Sequence, residues 1–371
     1  MNICIIGSGL LGLSLAYKID KKFTNSNIII IEKENNISKH QSSNNSGVLH
    51  CGLDYKPGSL KAKVSTKGIK QMVSFCKENK INHELCGKIV VSTSEAEDKT
   101  IENLASYGKK NGLKGLRFLT KNELKKREPN VFARKALLVP EEGIVDFLGV
   151  SESFKTYLQS KGHKILLGNK YFSLIKKNKK DFIVTDNYSY EYDLIFNCSG
   201  LHSDRVYKKM TGKNPPFKII PFRGEYFKFK ETHKNIINHL VYPTPNPNFP
   251  FLGVHFTRMI DKKVTVGPNA VLSFKREGYK FTDFNLYDLY ESISYRGLIN
   301  FVLKNFSFSI NQFQTSMSRI KFVNQGKKMI PDLRVNMLEK SYSGVRAQGI
   351  DRFGNLIMDL ELKKKINKFI F

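Results

Sequence analysis

The opening stretch of the chain, Met1 to Glu32, leaves few folds open. Ile3 to Ile6 is an apolar run short enough for a buried strand. Gly7-Ser8-Gly9-Leu10-Leu11-Gly12 follows as a tight turn into a helix with an inner face of Leu13, Leu15, Ala16 and Ile19. A second apolar strand, Asn27 to Ile31, ends on Glu32, twenty residues past Gly12. Each spacing has a chemical reason. Gly7 permits the turn, Gly9 lets backbone approach a pyrophosphate, and Gly12 lets helix and strand pack closely. The helix N-terminus offers free N–H groups and the positive end of a dipole. Glu32 is placed to accept hydrogen bonds from a ribose hydroxyl, which disfavours a 2′-phosphorylated cofactor. The stretch therefore predicts a dinucleotide site.

A chain of 371 residues is long for one core, and its 40% hydrophobic and 25% charged residues are those of a globular protein. No run approaches the ~18 apolar residues of a membrane span. The N-terminal apolar run has no basic residue before it, so the reading is a cytoplasmic protein without a cleaved leader. The five cysteines form no CxxC pair and no metal-ligand spacing, and no metal is expected. The net charge of +28 admits nucleic acid or an anionic membrane surface as a partner. Its lysines are scattered, and the aromatics alternate within predicted strands rather than among basic clusters, so nucleic acid is not expected. Arginine is used only 12 times, and Arg223, Arg258, Arg276 and Arg346 fall in motif-like segments. There a planar, bidentate fork has a use that lysine cannot fill.

Beyond Glu32 lies a polar, turn-rich run, HQSSNNSGVLHCGLDYKPGSLKAK, and then a helix over 60–79. Strands near 88–92, 164–167 and 182–185 and helices over 95–111 and 146–161 follow. The segment Tyr192 to Asp204 reads as a buried parallel strand breaking at Gly200 onto a helix, so that its end meets the cofactor. Antiparallel strands are expected over 217–275 with turns at Pro243 to Pro247, and helices over 283–312. Gly344 to Gly349 reads as a turn feeding a last strand over 355–360, and the final residues as an irregular tail. The fold class is α/β, a Rossmann-like nucleotide-binding domain (1–80, 151–215, 326–371) interleaved with a mixed-sheet α+β substrate domain (81–150, 216–325).

These segments together resemble the L-2-hydroxyglutarate oxidases and dehydrogenases, within the D-amino-acid-oxidase-like superfamily. The likeness is carried end to end by IIGSGLLGL, IEKE, NNSGVLHCGLDYKPGSLKAK, CGKIVV, GIVD, FNCSGLHSDR, PFRGEYFKF, YPTPNPNFPFLGVHFTRMID, VGPNAVLSFKREGY and GVRAQGIDRFGNL. The resemblance implies FAD bound at Gly7, Gly9, Gly12 and Glu32, with Ser43, Asn44, Ser46 and Gly47 beside the pyrophosphate and isoalloxazine and Gly200 closing the tunnel. It implies oxidation of L-2-hydroxyglutarate to 2-oxoglutarate, with electrons passed to a quinone or to O₂. A flavin oxidase of another 2-hydroxy acid or of an amino acid is the alternative. The family often has His at the position of Asn44, so a non-covalent flavin is expected. Family members also continue into a helix aimed at the flavin, so an ending at Phe371 implies loose FAD and slow turnover.

Oxidising a 2-hydroxy diacid needs fixed cations for the carboxylates and a base for the hydroxyl. Arg223, Arg258 and Arg346 are the clamp candidates, with Tyr226 adding a phenolic hydrogen bond and Lys88 a weaker charge candidate. A base near neutral pH favours histidine, and His50 and His255 both lie in motif-like apolar settings. The residues do not choose between them. A lysine-rich protein passing electrons to a quinone is expected to sit peripherally on the inner face of a membrane.

Overall fold

The computed structural model describes residues 1–245, 252–361, 363–365 and 368–370. Strand β1 (Asn2–Ile6), helix α1 (Leu10–Lys22) and strand β2 (Asn27–Ile31) form the expected unit. β1 lies between β2 and the strand Leu194–Asn197, parallel to both. The sheet extends past β2 to Lys164–Leu166 and past Leu194–Asn197 to Lys368–Ile370 and Lys363–Lys365. Strand order therefore reverses at β1, and in such sheets the crevice at the carboxyl ends of the strands takes the ligand.

Both faces of this sheet are covered, which is why β1 and β2 are continuous apolar runs. Ile3, Ile5, Ile28 and Ile30 pack with Leu13 and Ala16 of α1 and with Val150, Phe154 and Leu158 of the helix Phe147–Ser160. Cys4, Ile6, Ile29 and Ile31 face the other way, against Val206 and Met210 of the helix Ser203–Thr211 and against Tyr171 and Ile183. Alternation along two strands thus fixes two separate cores.

A second, mixed sheet, nine-stranded among the described residues, holds Lys88–Ser92, Lys135–Val139, Leu240–Pro243, His255–Arg258 and Val264–Gly267. Its spine is the ladder between Phe217–Phe229 and Leu338–Asp351. The segment Gly344 to Gly349, expected as a turn, lies inside this 14-residue strand, and so on the large sheet rather than the nucleotide side. Its glycines serve contact, not chain reversal: a Cβ on Gly344 would sit 2.6 Å from the Asn44 carbonyl. The strand expected over 355–360 is reduced to one bridge, Ile350 to Leu356. The end of the chain is not irregular, since Lys368–Ile370 pairs with Leu194–Asn197, whose second edge was free to accept it. Pro243 closes a strand, and part of the predicted turn after it falls outside the described residues.

A third, short sheet joins Val48–Leu49, Gly143–Val145 and His83–Glu84. It pairs Leu49 with Gly143 and so sets His50 beside Glu142.

The β1–α1 contact can be tested by a single methyl. A Cβ on Gly12 would lie 2.0 Å from the Gly7 carbonyl oxygen, and no rotamer relieves a clash with backbone. Gly12→Ala should therefore destabilise by about 1–3 kcal/mol, read as a lower urea midpoint at unchanged m-value.

Candidate active site

A cavity of about 1250 Å³ opens at the carboxyl end of β1, walled by Gly7, Gly9, Glu32, Ser42, Cys198 and Gly200 among others. Gly7 has φ +106°, and a Cβ there would meet the Cys198 carbonyl at 2.5 Å. Gly9 caps α1 with no side-chain hydrogen bond, while Ser42 Oγ accepts the Leu10 amide at 2.9 Å. Glu32 is fixed by its own loop: Oε2 accepts Ser8 N and Ser8 Oγ at 2.9 Å, and Oε1 accepts the Glu34 amide at 3.0 Å. Gly12 lies under this wall, packed on Gly7.

The loop after β2 contributes to the wall one turn earlier than expected, through Ser38 to Ser42. Asn44 turns inward instead, its Nδ2 donating to the carbonyls of Lys39 and His40, and Ser43 Oγ also donates to His40. Gly47 N donates to Asn45 Oδ1, and Gly47 O accepts the Val145 amide. These residues, with Ser46 between them, shape the loop rather than the wall. At the rim, Lys33 Nζ reaches Glu277 at 2.9 Å and His40 at 3.2 Å, and Glu277 also meets His202 at 3.1 Å. Burial works against the Glu277 charge, but His202 and Lys33 hold its carboxyl down at about 2. Nothing in the sequence spacing announces this cluster, because its members come from three distant segments.

The second constellation surrounds Tyr242. Glu142 is fully buried and collects four donors: Lys88 Nζ at 2.9 Å, His50 Nδ1 at 3.2 Å, Cys51 N at 3.3 Å and Cys51 Sγ at 3.4 Å. Burial alone raises a carboxyl pKa, yet the Lys88 ammonium and His50 pull it below the usual range. Lys88, equally buried, is held charged in return by Glu142, and its ammonium lies 5.0 Å from the Tyr242 ring centre. The two histidines of the sequence reading also lie against that ring. His50 stands edge-on at 6.4 Å and His255 lies tilted at 4.0 Å.

The histidines differ in setting. Glu142, ionised, can only accept, so His50 Nδ1 carries the hydrogen, and in the neutral ring Nε2 is the acceptor. His50 is also partly open, with 42% of its side chain exposed. His255 is buried and Nδ1 faces the Gly253 carbonyl at 2.9 Å. Burial pushes its pKa down to about 3, so it is neutral across the physiological range.

Of the proposed clamp, Arg346 and Tyr226 face this constellation. Arg346 sits within electrostatic reach of Tyr226, Tyr55 and His255, and burial lowers its pKa. Tyr226 and Tyr55 are both pushed up to about 12 by burial and so keep their protons. Tyr226 stacks on Tyr342 at 4.7 Å, and Tyr342 Oη donates to the Asn45 carbonyl at 2.9 Å. Arg223 does not join them. The ladder pairs Arg223 with Val345 and Arg346 with Phe222, which puts the two guanidinium groups on opposite faces. Arg223 is 1% exposed, donating to the Lys280 carbonyl and to Glu225. Arg258 is ion-paired with Glu84. Arg276 is buried against Asp204. Three of the four motif arginines thus brace the fold.

Comparisons with known proteins identify the family. The profile of the DAO family, FAD dependent oxidoreductase, matches residues 2–361. The L-2-hydroxyglutarate dehydrogenase of Indibacter alkaliphilus is 42% identical over 99% of this chain and 92% of its own length. The chain belongs to the L-2-hydroxyglutarate dehydrogenase family of FAD-dependent oxidoreductases. The mitochondrial L-2-hydroxyglutarate dehydrogenase of Dictyostelium discoideum is 40% identical over 96% of this chain and 84% of its own. Among solved structures, the dithionite-reduced L-alpha-glycerophosphate oxidase of Mycoplasma pneumoniae with FAD bound shares the fold. It has a TM-score of 0.79 and 20% identity, over 100% of this chain and 88% of that one.

The cofactor is FAD, and the residues present fit it. The cavity exceeds the ~300–1,000 Å³ of ordinary small-molecule pockets, and its glycine wall leaves backbone open where side chains would fill it. Sequence reasoning missed Glu142. The signal was there: Lys88 opens the apolar strand Lys88–Ser92, and a lysine in such a strand requires a buried acid.

Two outcomes follow from the buried charges. Glu142→Gln strands the Lys88 ammonium and should cost about 3–5 kcal/mol of stability, measured by denaturant unfolding. His255 binds its proton near pH 3 when folded and near about pH 6.5 when unfolded. Unfolding therefore takes up a proton between these values, and stability falls as pH drops through that window. The Tm of the parent should fall more between about pH 7 and pH 5 than that of His255→Gln.

Proposed function

We propose that this protein oxidises L-2-hydroxyglutarate to 2-oxoglutarate, with His50 as the base. The observation that carries the reading is the His50–Glu142–Lys88 chain beside Arg346, in a chain 42% identical to an L-2-hydroxyglutarate dehydrogenase. Arg346 takes a substrate carboxylate in a bidentate grip, and Tyr226 and Tyr55, still protonated, donate to it. His50 Nε2 accepts the hydroxyl proton as the C–O bond becomes a carbonyl, and Glu142 stabilises the imidazolium that forms. His255 cannot share this duty, because burial opposes its protonation. It lends a neutral acceptor and a wall that excludes water. FAD, when bound, supplies the acceptor for the hydride that leaves the α-carbon. The flavin is held without a covalent bond, since Asn44 offers no imidazole, and the electrons pass on to a quinone or to O₂.

Anaerobic mixing with L-2-hydroxyglutarate should bleach the flavin band, and lactate, glycine and proline should not. His50→Asn should keep its FAD and slow that bleaching by about 10²-fold or more, with His255→Asn affected less. Bleaching at the parental rate in His50→Asn removes the assignment. Arg346→Lys should raise KM and lower kcat/KM although its charge is kept. Acid precipitation should release the flavin into the supernatant.

A further inference from the structure

A diacid presents two carboxylates, and most of the motif cations near the site are already engaged. Arg223, Arg258 and Arg276 are paired with Glu225, Glu84 and Asp204, and Lys88 with Glu142. A further cation comes from the segment KPGSLKAK, which carries Lys61.

Lys61 lies in the first turn of the helix Leu60–Glu78. Its backbone is pinned there. The Asp359 carboxylate accepts the Leu60 amide at 2.9 Å and the Lys61 amide at 2.8 Å, and Ser59 Oγ accepts the Ala62 amide at 3.2 Å. The same helix packs closely on the loop that leaves His50. A Cβ on Gly52 would lie 3.0 Å from Ser65 of the helix and 3.4 Å from the Tyr55 ring. Asn111 Nδ2 holds the loop from the other end, donating to the Gly52 carbonyl at 2.9 Å and the Tyr55 carbonyl at 2.8 Å. Backbone thus sets Lys61 against Tyr55, and its ammonium lies 5.6 Å from the ring centre.

That ammonium is not placed like an ordinary surface lysine. It is half-buried, and among the described residues its Nζ makes no hydrogen bond and no ion pair. It also has a like charge for company. Burial first, and then Arg346, lower its pKa, against the weaker pull of Asp359 and Asp54. Asp359 is already engaged by backbone amides. Arg346 acts on Tyr55 as well, so the two cations meet beside one tyrosine. Like charges repel, and an anion placed between them converts that repulsion into attraction.

We propose that Lys61 receives the second carboxylate of the substrate and makes the site selective for a diacid over a monoacid. The inference rests on the reaction proposed above, in which Arg346 takes one carboxylate and His50 the hydroxyl proton. Arg346 and Lys61 then divide the two negative charges. A monoacid of the same length leaves the half-buried ammonium without an anion, and that is the source of the discrimination.

The test uses the FAD-loaded full chain with L-2-hydroxyglutarate and with L-2-hydroxypentanoate, in which a methyl group replaces the far carboxylate. Lys61→Met keeps an unbranched stem and removes the charge. It should lower kcat/KM for L-2-hydroxyglutarate by roughly 10–100-fold, chiefly through KM. For L-2-hydroxypentanoate it should change kcat/KM by less than about threefold. Lys61→Arg should recover part of the loss, and both variants should keep the parental FAD content and Tm. A fault in folding or flavin placement slows both substrates alike. Equal losses, or no loss with L-2-hydroxyglutarate, therefore overturn the proposal. Binding is read separately, by titrating the oxidised holoenzyme with glutarate and with pentanoate in a calorimeter. The parent should bind glutarate more tightly, and Lys61→Met should remove most of that advantage. If it does so while L-2-hydroxyglutarate fails to bleach the parental flavin, the diacid subsite stands and the proposed reaction falls. Glutarate binding that is the same in parent and Lys61→Met overturns the subsite.

Discussion

A single carboxylate holds the chemistry of this molecule together. Glu142 is fully buried, so its charge depends on Lys88 from the large sheet and on His50 next to the short one. Remove either cation and the carboxyl becomes costly; remove the carboxyl and Lys88 does. The arrangement makes a buried ion pair into a register mark, since both sheets must be in place before the charges balance. It also decides the tautomer of His50, which the chain could not set from the exposed side alone.

The nucleotide half of the fold was legible because its signals are local. Strand, turn, helix and acid follow one another within Met1 to Glu32, and each residue's task is set by its neighbours in sequence. The end of the chain was harder to read. Gly344 and Gly349 look like turn residues, yet they lie in a strand because the ladder with Phe217–Phe229 outweighs local preference. Their lack of side chains answers an approach from the Asn44 backbone and from Phe217, neither of which is near in sequence. The arginines are hard to read from sequence for a related reason. A guanidinium in a motif can serve a substrate or satisfy a buried acid, and only the face of the strand distinguishes them. One residue of register separates Arg346 from the partner of Arg223.

Net charge, read over the whole chain, was ambiguous, and its distribution is what carries meaning. At the nucleotide cavity Lys33 is matched by Glu277 and Arg205 by Glu291. Over the helices from Arg296 onward the acids are missing altogether. A surface potential set by such segregation reaches about 8–10 Å in physiological salt and fades beyond it.

The segment from Ser38 to Cys51 runs through both sites. Its first residues wall the FAD cavity, its middle rests on the large sheet through the bond from Tyr342 to Asn45, and its end presents His50. One stretch of backbone is thereby ordered from two directions. On the proposed assignment of His50, order that FAD gives the first half of the loop is order that substrate would not have to supply to the second. A linkage of that kind would act by the same factor in both directions.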